Sequence, residues 1–260
     1  MNQEILNEIK NQKYDTLTNT IEEFLKKQIS QNNSNGLIFG LSGGIDSAVI
    51  AYLCSRVLKK ESIALIMPDS KITPNIDIED SLKMAKSLGL EYKLIDINLI
   101  SNEYAKYIEP NDLALGNLKA RIRANLLYYY ANSKNLLVVG SSDKSEYLIG
   151  YFTKFGDGSA DIFPIVSLYK SQVREIAKFL GVPDSIIAKK SSPQLWKEHI
   201  AEDEIGVSYD EIDSILYCTF EKKMTIEETV KSTQIEKKIV DKIYQLYKNT
   251  QHKRITAARP

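Results

Sequence analysis

The sequence predicts an α/β fold built on a doubly wound parallel sheet, with additional helices toward the C-terminus. Short apolar runs that are typical of buried strands alternate along the chain with longer segments of helical periodicity. This alternation favours parallel pairing of the strands. A glycine-rich turn joins the first apolar run to the helix that follows it. In doubly wound sheets such a turn lies at the carboxyl edge, where ligands bind.

Four strands and the helices between them can be placed in order along the chain. The strand-like runs are Leu37–Leu41, Ile63–Met67, Tyr92–Ile97 and Leu136–Gly140, separated by helical stretches near Ser47–Lys59, Ile76–Gly89 and Asn117–Asn132. An amphipathic segment, Asp15–Ile29, precedes the first strand and is expected to cover the sheet. A long loop over Ser141–Ser167 follows the last strand, and loops of that length are usually functional. Helical periodicity returns at Leu168–Leu180, Tyr209–Phe220, Ile226–Val230 and Ile235–Tyr247.

Length and composition are those of one globular domain. The chain has 260 residues, of which 43% are hydrophobic and 26% are charged, so it can bury a full core. We expect a single domain over 1–260. Its parts are a helical cover at about 1–35, an α/β core at about 36–182, and a loop with further helices at about 183–260.

The charge balance and the cysteine content argue against several classes of protein. With 34 basic and 34 acidic residues the formal net charge is zero, which disfavours a broad surface for nucleic acid or for an anionic membrane. Cys54 and Cys218 are too few and too separated for a zinc cluster or a disulfide framework. The first twenty residues lack the apolar core of a signal peptide, and no run approaches eighteen apolar residues. A cytoplasmic location is therefore expected.

The glycine-rich turn Leu41–Ser47, with the sequence LSGGIDS, has the composition of a phosphate-binding loop. Its two glycines allow backbone N–H groups to approach an anion, and its two serines supply hydroxyl groups. The positive end of the following helix faces the same point. The loop lacks the lysine of a Walker A motif and carries Asp46 instead. A carboxylate beside phosphates is expected where Mg²⁺ lies between them.

A second group of polar residues follows the fourth strand. Gly140 ends that strand at the edge of the sheet that also carries the phosphate loop, so Glu146 and Asp46 can reach one metal ion from two directions. The alternative is that Glu146 and Asp157 are solvated loop acids. The density of glycine and acidic residues in this segment argues against that interpretation.

The loop resembles the SGGxDS motif of the N-type ATP pyrophosphatases, which cleave ATP to AMP and pyrophosphate. Further segments resemble the NAD synthetase family more specifically, and the similarity runs from about Ile38 to the C-terminus. These segments are GSSDKSE from Gly140, GYFTKFGDG from Gly150 with Asp161 and Pro164, LYK from Leu168, GNLKARIR from Gly116, GVSYDEID from Gly206, and HKR from His252 with Pro260. The resemblance implies an adenine nucleotide α-hydrolase-like, Rossmann-like fold.

Members of this family convert nicotinic acid adenine dinucleotide to NAD. They adenylate the nicotinate carboxylate with ATP and then let ammonia attack, which releases AMP and pyrophosphate. A carboxylate is a poor electrophile, and the acyl-adenylate gives it a good leaving group. Because the chemistry is mostly positioning and charge neutralisation, the residues that hold the phosphates and the metal are the ones to identify.

The resemblance implies a role for each residue that matches a family motif. ATP would be held by Gly40, Ser42, Gly43, Gly44, Asp46, Ser47, Met67, Ser141, Lys170 and Ser192. The dinucleotide would be held by Asn117, Arg121, Lys154, Asp157, Asp161, His252 and Lys253. Asp46 and Glu146 would bind Mg²⁺, and Lys170 would reach the ATP phosphates. Asp157, Lys154 and Lys170 would be catalytic, with Asp157 receiving or orienting the proton of ammonium.

Other residues near these motifs receive a structural interpretation. Arg123, two positions after Arg121, is interpreted as a solvated residue of a helix face. The run Tyr128–Tyr130 is expected in an interface or in core packing.

The family forms twofold dimers, so a homodimer is expected. Only about forty residues precede the phosphate loop, too few for a fused glutamine amidohydrolase domain, so free ammonia is the expected nitrogen donor unless a separate subunit supplies it.

The sequence departs from the family pattern at three places. Ser141–Asp143 stands where the family usually has a threonine and then an asparagine or histidine. Ser191–Trp196 shifts a proline by two positions, with Ser192 keeping a hydroxyl, and Ala201 replaces a usual aspartate. These changes affect the expected conformation of 190–205, where a loop would close over ATP.

Two alternative functions remain open from the sequence alone. A GMP-forming or tRNA-modifying pyrophosphatase would share the phosphate loop, although a tRNA-modifying enzyme would be expected to show a basic surface and catalytic cysteines. A non-catalytic sensor that only binds ATP is the second alternative. The paired acids Asp46 and Glu146 weigh against it, because a simple binder has little need for a metal between phosphate oxygens.

Overall fold

The computed structural model describes residues 1–196 and 198–257. In these ranges four strands form one parallel sheet: β1 (Gly36–Gly40), β2 (Ser62–Ile66), β3 (Glu91–Leu94) and β4 (Leu136–Val139). Their order across the sheet is β3-β2-β1-β4. The chain therefore winds outward from β1 in one direction and then returns to add β4 on the other side. The predicted doubly wound parallel sheet is confirmed, and its switch point lies between β1 and β4.

Helices cover both faces of the sheet and continue beyond it. In the described residues they are α1 (Gln3–Lys10), α2 (Tyr14–Gln31), α3 (Ile45–Val57), α4 (Asn75–Leu88), α5 (Asn98–Ala105), α6 (Asp112–Lys134), α7 (Lys144–Ile149), α8 (Lys170–Leu180), α9 (Asp184–Ile187), α10 (Ala201–Ile205), α11 (Tyr209–Leu216), α12 (Ile226–Thr233) and α13 (Lys237–Asn249). A π-helical turn, Tyr217–Glu221, continues α11, and a 3₁₀ turn, Gln251–Lys253, follows α13. None of these helices is both long and apolar enough to cross a membrane.

The two faces of the sheet are buried by alternate residues of the same strand. Leu37 and Phe39 of β1 pack in one cluster with α2, α3 and α8, whereas Ile38 between them packs on the opposite side with α6. Successive side chains of a strand point to opposite faces, so a strand that is buried on both faces reads as a continuous apolar run. This is why the central strands could be located from sequence.

A separate apolar cluster joins the first helix to the last ones. Ile5 and Ile9 of α1 pack with Tyr209 and Ile212 of α11 and with Ile243 of α13. The backbone N–H of Asn2 donates to the carbonyl of Thr233 at 2.7 Å. The expected N-terminal cover is thus divided, because α2 packs on α3 and α8 beside the sheet whereas α1 packs on α8 and the C-terminal helices.

The predicted elements are found with shifts of a few residues, and five short helices were not predicted. They are α1, α5, α7, α9 and α10, each of eight residues or fewer. The segment Ser141–Ser167 was expected to be a loop throughout, and α7 corrects that expectation. A helix of six residues is too short to show a 3.6-residue period. It begins after Asp143, whose side chain accepts the N–H of Glu146 at 2.8 Å and so caps the helix.

Candidate active site

One cavity of about 510 Å³ lies at the carboxyl ends of β1, β2 and β4. Its walls are the phosphate loop, the turn after β2, the inner face of α6, the segment 150–157 and the segment 189–195. This is the position where open α/β sheets bind ligands. Several of the segments singled out in the sequence therefore meet around one space.

The phosphate loop is held in shape by its own hydrogen bonds. The hydroxyl of Ser47 donates to the carbonyl of Gly44 at 2.9 Å and accepts the backbone N–H of Ser42 at 3.1 Å. Gly43 has φ +81°, and a Cβ atom there would lie 2.5 Å from the carbonyl oxygen of Asp77. Gly44 precedes α3 without a side-chain cap, so the first N–H groups of that helix are left for a ligand.

A buried lysine lies among three carboxylates beneath the loop. The side chain of Lys170 at the start of α8 is fully buried. Its ammonium is 2.9 Å from Asp46, 2.9 Å from Glu146 and 2.8 Å from Asp143. The hydroxyl of Tyr209 also donates to Glu146, at 3.0 Å. Asp46 and Glu146 therefore converge on one point from separate crossovers of the sheet, as their positions after β1 and β4 predict.

The charges in this cluster shift one another's ionisation. Burial raises the pKa of Glu146 to about 8, with Asp143 and Asp46 adding to the shift and Lys170 opposing it. Burial raises the pKa of Asp143 to about 6 against the same lysine. Burial alone would lower the pKa of Lys170, but the three carboxylates outweigh it and raise that pKa well above its usual value. Lys170 is thus a permanent cation.

Asp143 and Tyr209 belong to this cluster and were not predicted as site residues. Asp143 was noted only as a departure from the family pattern. The sequence could have indicated the position of Asp143, since an aspartate three residues before Glu146 is the pattern of a residue that caps the start of a helix. Tyr209 reaches Glu146 across 63 positions of the chain. No local pattern could have indicated that contact.

The segment that contains Asp157 is docked on α6. Asp157 accepts the backbone N–H of Thr153 at 2.8 Å, and the Thr153 hydroxyl donates to Asn117 of α6 at 2.6 Å. A Cβ atom on Gly156 would lie 2.9 Å from the methyl group of Ala120, so the backbone approaches the helix closely. Desolvation in the cavity wall raises the pKa of Asp157 above its usual value, although its hydrogen bonds and Lys253 oppose the shift. A raised pKa suits a carboxylate that must accept a proton.

Arg123 is not a solvated residue of a helix face, and that interpretation is wrong. The side chain is half-buried and lines the cavity, with Nε donating to the carbonyl of Met67 at 3.0 Å. Arg121, two positions earlier, is exposed and does not line the cavity. The 3.6-residue period of α6 separates the two by about 200°. The sequence gives their separation of two residues but not the rotation of the helix, so it could not show which of them faces the cavity.

A family model described as NAD synthase matches residues 17–257. The chain belongs to the NAD synthase family. It is 46% identical over 258 residues to the NH₃-dependent NAD⁺ synthetase of Hyperthermus butylicus, covering 98% of this chain and 94% of the relative. The corresponding protein of Staphylothermus marinus is 45% identical over 259 residues, with the same two coverages. The chain is therefore an enzyme of NAD biosynthesis, a ligase that binds ATP.

Two solved structures resemble this chain over nearly their whole length. An NMN synthetase from Francisella tularensis superposes with a TM-score of 0.85 at 33% identity, covering 96% of this chain and 99% of that one. An NH₃-dependent NAD synthetase from Campylobacter jejuni, in complex with nitrate, gives a TM-score of 0.81 at 32% identity with the same coverages. The NAD synthase fold thus extends over both the sheet and the C-terminal helices.

Most residues that the family resemblance selects line the cavity. They are Gly40, Ser42, Gly43, Gly44, Asp46, Ser47, Met67, Asn117, Ser141, Glu146, Asp157, Ser192 and Lys253. Lys253 donates from Nζ to the carbonyls of Gly150 and Phe152, both at 2.8 Å, so the basic tail is docked against the site. Pro260, which belongs to the same family segment, lies outside the described residues.

Five residues selected by the resemblance do not line the cavity: Arg121, Lys154, Asp161, Lys170 and His252. The expected contact of Lys170 with ATP phosphates stays a prediction, and in this structure its buried ammonium is held by three carboxylates. Asp161 accepts the backbone N–H of Val138 at 2.8 Å and so fixes the loop to β4.

The other three of these residues form an exposed chain of contacts beside the cavity. Arg121 donates to the carbonyl of Lys154 at 3.2 Å, and the Lys154 ammonium donates to the carbonyl of His252 at 2.6 Å. They therefore form one basic group beside the cavity, and their expected contacts with the substrate stay predictions. A cavity that is formed by one chain alone does not include them.

The segment over 190–205 contains contacts that the sequence did not indicate. Lys189, just before it, donates to Asp77 and Asp80 and so ties the segment to α4 beside the phosphate loop. At its other end, Glu204 accepts a hydrogen bond from Tyr151 at 2.5 Å and lies 2.7 Å from Nε2 of His199. Ser192 lines the cavity between these two anchors.

Proposed function

We propose that this enzyme converts nicotinic acid adenine dinucleotide to NAD with ATP and ammonia, by way of an acyl-adenylate, releasing AMP and pyrophosphate. One observation carries the proposal: a single cavity joins the phosphate loop at Ser42–Ser47 to the segment of Asp157. Adenylation requires the α-phosphate and the carboxylate to meet, so the two sites must be continuous. The curated relatives that cover the chain are named for this ammonia-dependent activity.

ATP would lie across the ends of β1 and β2. The pyrophosphate portion fits the open N-terminus of α3, where backbone N–H groups and Ser42 face the cavity. The adenosine portion would lie against Met67 and Pro68 after β2, and Ser141 and Ser192 offer hydroxyl groups from the two sides. This orientation directs the α-phosphate toward α6 and the segment of Asp157.

Asp46 and Glu146 are the residues that would hold Mg²⁺. In the described ranges, no three His, Cys, Asp or Glu side chains are arranged as a metal centre of their own. Magnesium at a nucleotide is typically held by one or two carboxylates, with phosphate oxygens and waters as its other ligands. Two converging carboxylates that both line the cavity fit that donor set. Bound there, the metal would neutralise charge on the leaving pyrophosphate.

Asp157 is the residue that would accept or orient the proton of ammonium. It lines the cavity, and its carboxylate is held by the N–H of Thr153, from which it accepts a hydrogen bond. Ammonium must lose a proton before nitrogen can attack the acyl carbon. We expect Asp157→Asn to leave ATP binding in place and to depress amide formation. Normal turnover of that variant at saturating ammonium would remove the assignment.

A second candidate differs in the acceptor rather than in the reaction. The structural similarity to an NMN synthetase, at a TM-score of 0.85, favours considering nicotinic acid mononucleotide as the acid that is amidated. The same phosphate loop and carboxylates would serve either acid. The dinucleotide is preferred because the relatives at 45–46% identity are named NAD⁺ synthetases, whereas the NMN synthetase is 33% identical.

The test is a direct assay with each acid in turn. The chain is incubated with ATP, Mg²⁺, ammonium and either acid, and AMP, pyrophosphate and the amide product are quantified. NAD formation at a kcat/KM well above that for the mononucleotide supports the proposal. The reverse ratio establishes the second candidate, and ATP binding without any of the products would establish a non-catalytic sensor instead. Asp46→Asn should abolish product formation in either case.

We further propose that the chain acts as a cytoplasmic homodimer and that residues 1–260 form one synthetase domain. Large apolar side chains are exposed on α5, α6 and the connection between them, namely Leu99, Tyr104, Tyr107, Leu113 and Tyr129. Large apolar side chains exposed on two helices that pack together would suit a subunit interface. Dependence on ATP and two free, buried cysteine thiols support a cytoplasmic site of action. The packing of α1 on α11 and α13 supports one domain.

A further inference from the structure

Arg123 is a cation in the cavity whose donors are mostly free. In the described residues, the basic side chains that line the cavity are Arg123, Lys189, Lys190 and Lys253. Lys189 is held by two carboxylates, Lys253 by two carbonyl groups, and Lys190 is exposed at the rim. Arg123 makes one hydrogen bond in the described ranges, from Nε to Met67, so its Nη1 and Nη2 groups are available.

The position of Arg123 is fixed from two sides. The bond to the Met67 carbonyl joins it to the turn after β2, where the proposed adenosine site lies. Its helix, α6, packs against β1 and β4 and carries Ala120, which contacts Gly156 next to Asp157. Burial lowers the pKa of Arg123, and the negative charges of Asp69 and Asp157 oppose that shift. It therefore lies between the adenosine side of the cavity and the side where the acid would react.

We propose that Arg123 is a catalytic residue that binds the α-phosphate of ATP during adenylation and retains it in the acyl-adenylate. This inference rests on the proposed function. In the step, a carboxylate oxygen of the acid forms a bond to the α-phosphorus while the bond to the bridging oxygen breaks. The electron pair leaves with pyrophosphate. Negative charge accumulates on the non-bridging oxygens of the α-phosphate, which a half-buried guanidinium can bind with two parallel N–H groups.

The same contact explains why an arginine suits this position better than a lysine. A guanidinium can donate from Nε to the Met67 carbonyl and still present two Nη groups to a phosphate. A lysine ammonium at the end of a flexible stem would lose either the tether or the fixed direction toward the ligand. The tether positions the donors before the substrate arrives, which is the arrangement that lowers a barrier most.

The test separates the first half-reaction from the rest. Exchange of labelled pyrophosphate into ATP, dependent on the acid, is measured for the wild-type enzyme, for Arg123→Gln and for Arg123→Lys. We expect the maximal exchange rate to fall about 100-fold in R123Q, as for loss of a transition-state donor, with R123K intermediate. The KM for ATP should change far less, because the contact strengthens in the transition state. Lys134→Gln removes an exposed charge from the same helix and should behave as the wild type.

The outcomes distinguish this inference from the proposed function. A wild-type enzyme that forms no amide and shows no exchange refutes the proposed function itself. A wild-type enzyme that is active, together with R123Q that exchanges at a normal rate, overturns the role of Arg123. A change in the KM for ATP alone also overturns it, since that result means uniform binding. If R123Q does not fold, judged by its urea midpoint, R123K carries the same comparison.

Discussion

At the scale of single residues, Lys170 shows how the site holds its acids together. Three carboxylates gathered around one point would repel one another where solvent is largely excluded. The ammonium of Lys170 lies between them and is out of contact with solvent. Its position at the first turn of α8 also places it away from the cavity lining. We infer that its part is to position Asp46 and Glu146 rather than to bind phosphate.

Lys170→Met should therefore destabilise the fold strongly. Removing one partner of a buried ion pair leaves uncompensated charge, and we expect the free energy of unfolding to fall by about 3–5 kcal/mol. Mg²⁺ should restore part of that loss, because it would supply charge to the same carboxylates. Urea unfolding with and without Mg²⁺ measures both effects.

The matched control for this prediction is Lys178→Met. Lys178 lies on the same helix and is 55% exposed, where it pairs with Glu175. Exposed pairs contribute little, so its loss should cost less than about 1 kcal/mol and should not respond to Mg²⁺. Equal effects of the two substitutions would show that the burial of Lys170 does not matter.

At the scale of elements, α11 connects the C-terminal helices to the acids of the site. Tyr209 and Asp213 are four residues apart and lie on one face of this helix. Tyr209 donates to Glu146, while the buried carboxylate of Asp213 accepts the Ser145 hydroxyl at 2.5 Å and the backbone N–H of Ser171 at 2.8 Å. One face of α11 thus fixes the start of α7 and the start of α8.

Asp213→Ala should loosen this connection. Two buried donors would lose a charged acceptor, and we expect the free energy of unfolding to fall by about 1.5–3 kcal/mol or more. The apparent KM for Mg²⁺ should rise because Glu146 follows Ser145 directly. Asp210→Asn is the control, since Asp210 also joins α11 to α8 through Arg174 but is about one-third exposed. An unchanged Mg²⁺ dependence in D213A would contradict the coupling.

Helices and strands with a regular spacing of apolar residues were predictable from the sequence, whereas contacts between these elements were not. The runs that form β1, β2 and β4 are apolar because both faces of the sheet are covered. The loop after β1 was predictable because its glycines allow the positive φ and the close backbone approach that the turn requires. The cluster around Lys170 is different. Asp46, Glu146 and Tyr209 are brought together from three distant segments, and the predicted sheet topology linked only the first two. The direction of Arg123 depended on the rotation of one helix.

At the scale of the whole molecule, the exposed face of α6 carries both apolar and basic residues. Tyr129, 66% exposed, lies two helical steps of four residues from Arg121, so the two share one face. Arg121, Lys154 and His252 form their basic group on that side without reaching the cavity of their own chain. An interface on this face would bury the tyrosine and enclose the basic group next to the site.

Tyr129→Glu should therefore weaken the proposed dimer. Multi-angle light scattering should give the wild-type protein a mass of twice 29.5 kDa. The variant should have the mass of a monomer, because a dimer would have to bury the unpaired charge of the glutamate in its interface. Phe179→Glu, at an exposed apolar position on α8, is the control and should remain dimeric. Because Arg121 shares the face of Tyr129, the dissociated variant should show a raised KM for the acid while ATP binding is kept. A wild-type monomer, or a Y129E dimer with unchanged mass, would contradict an interface on α6.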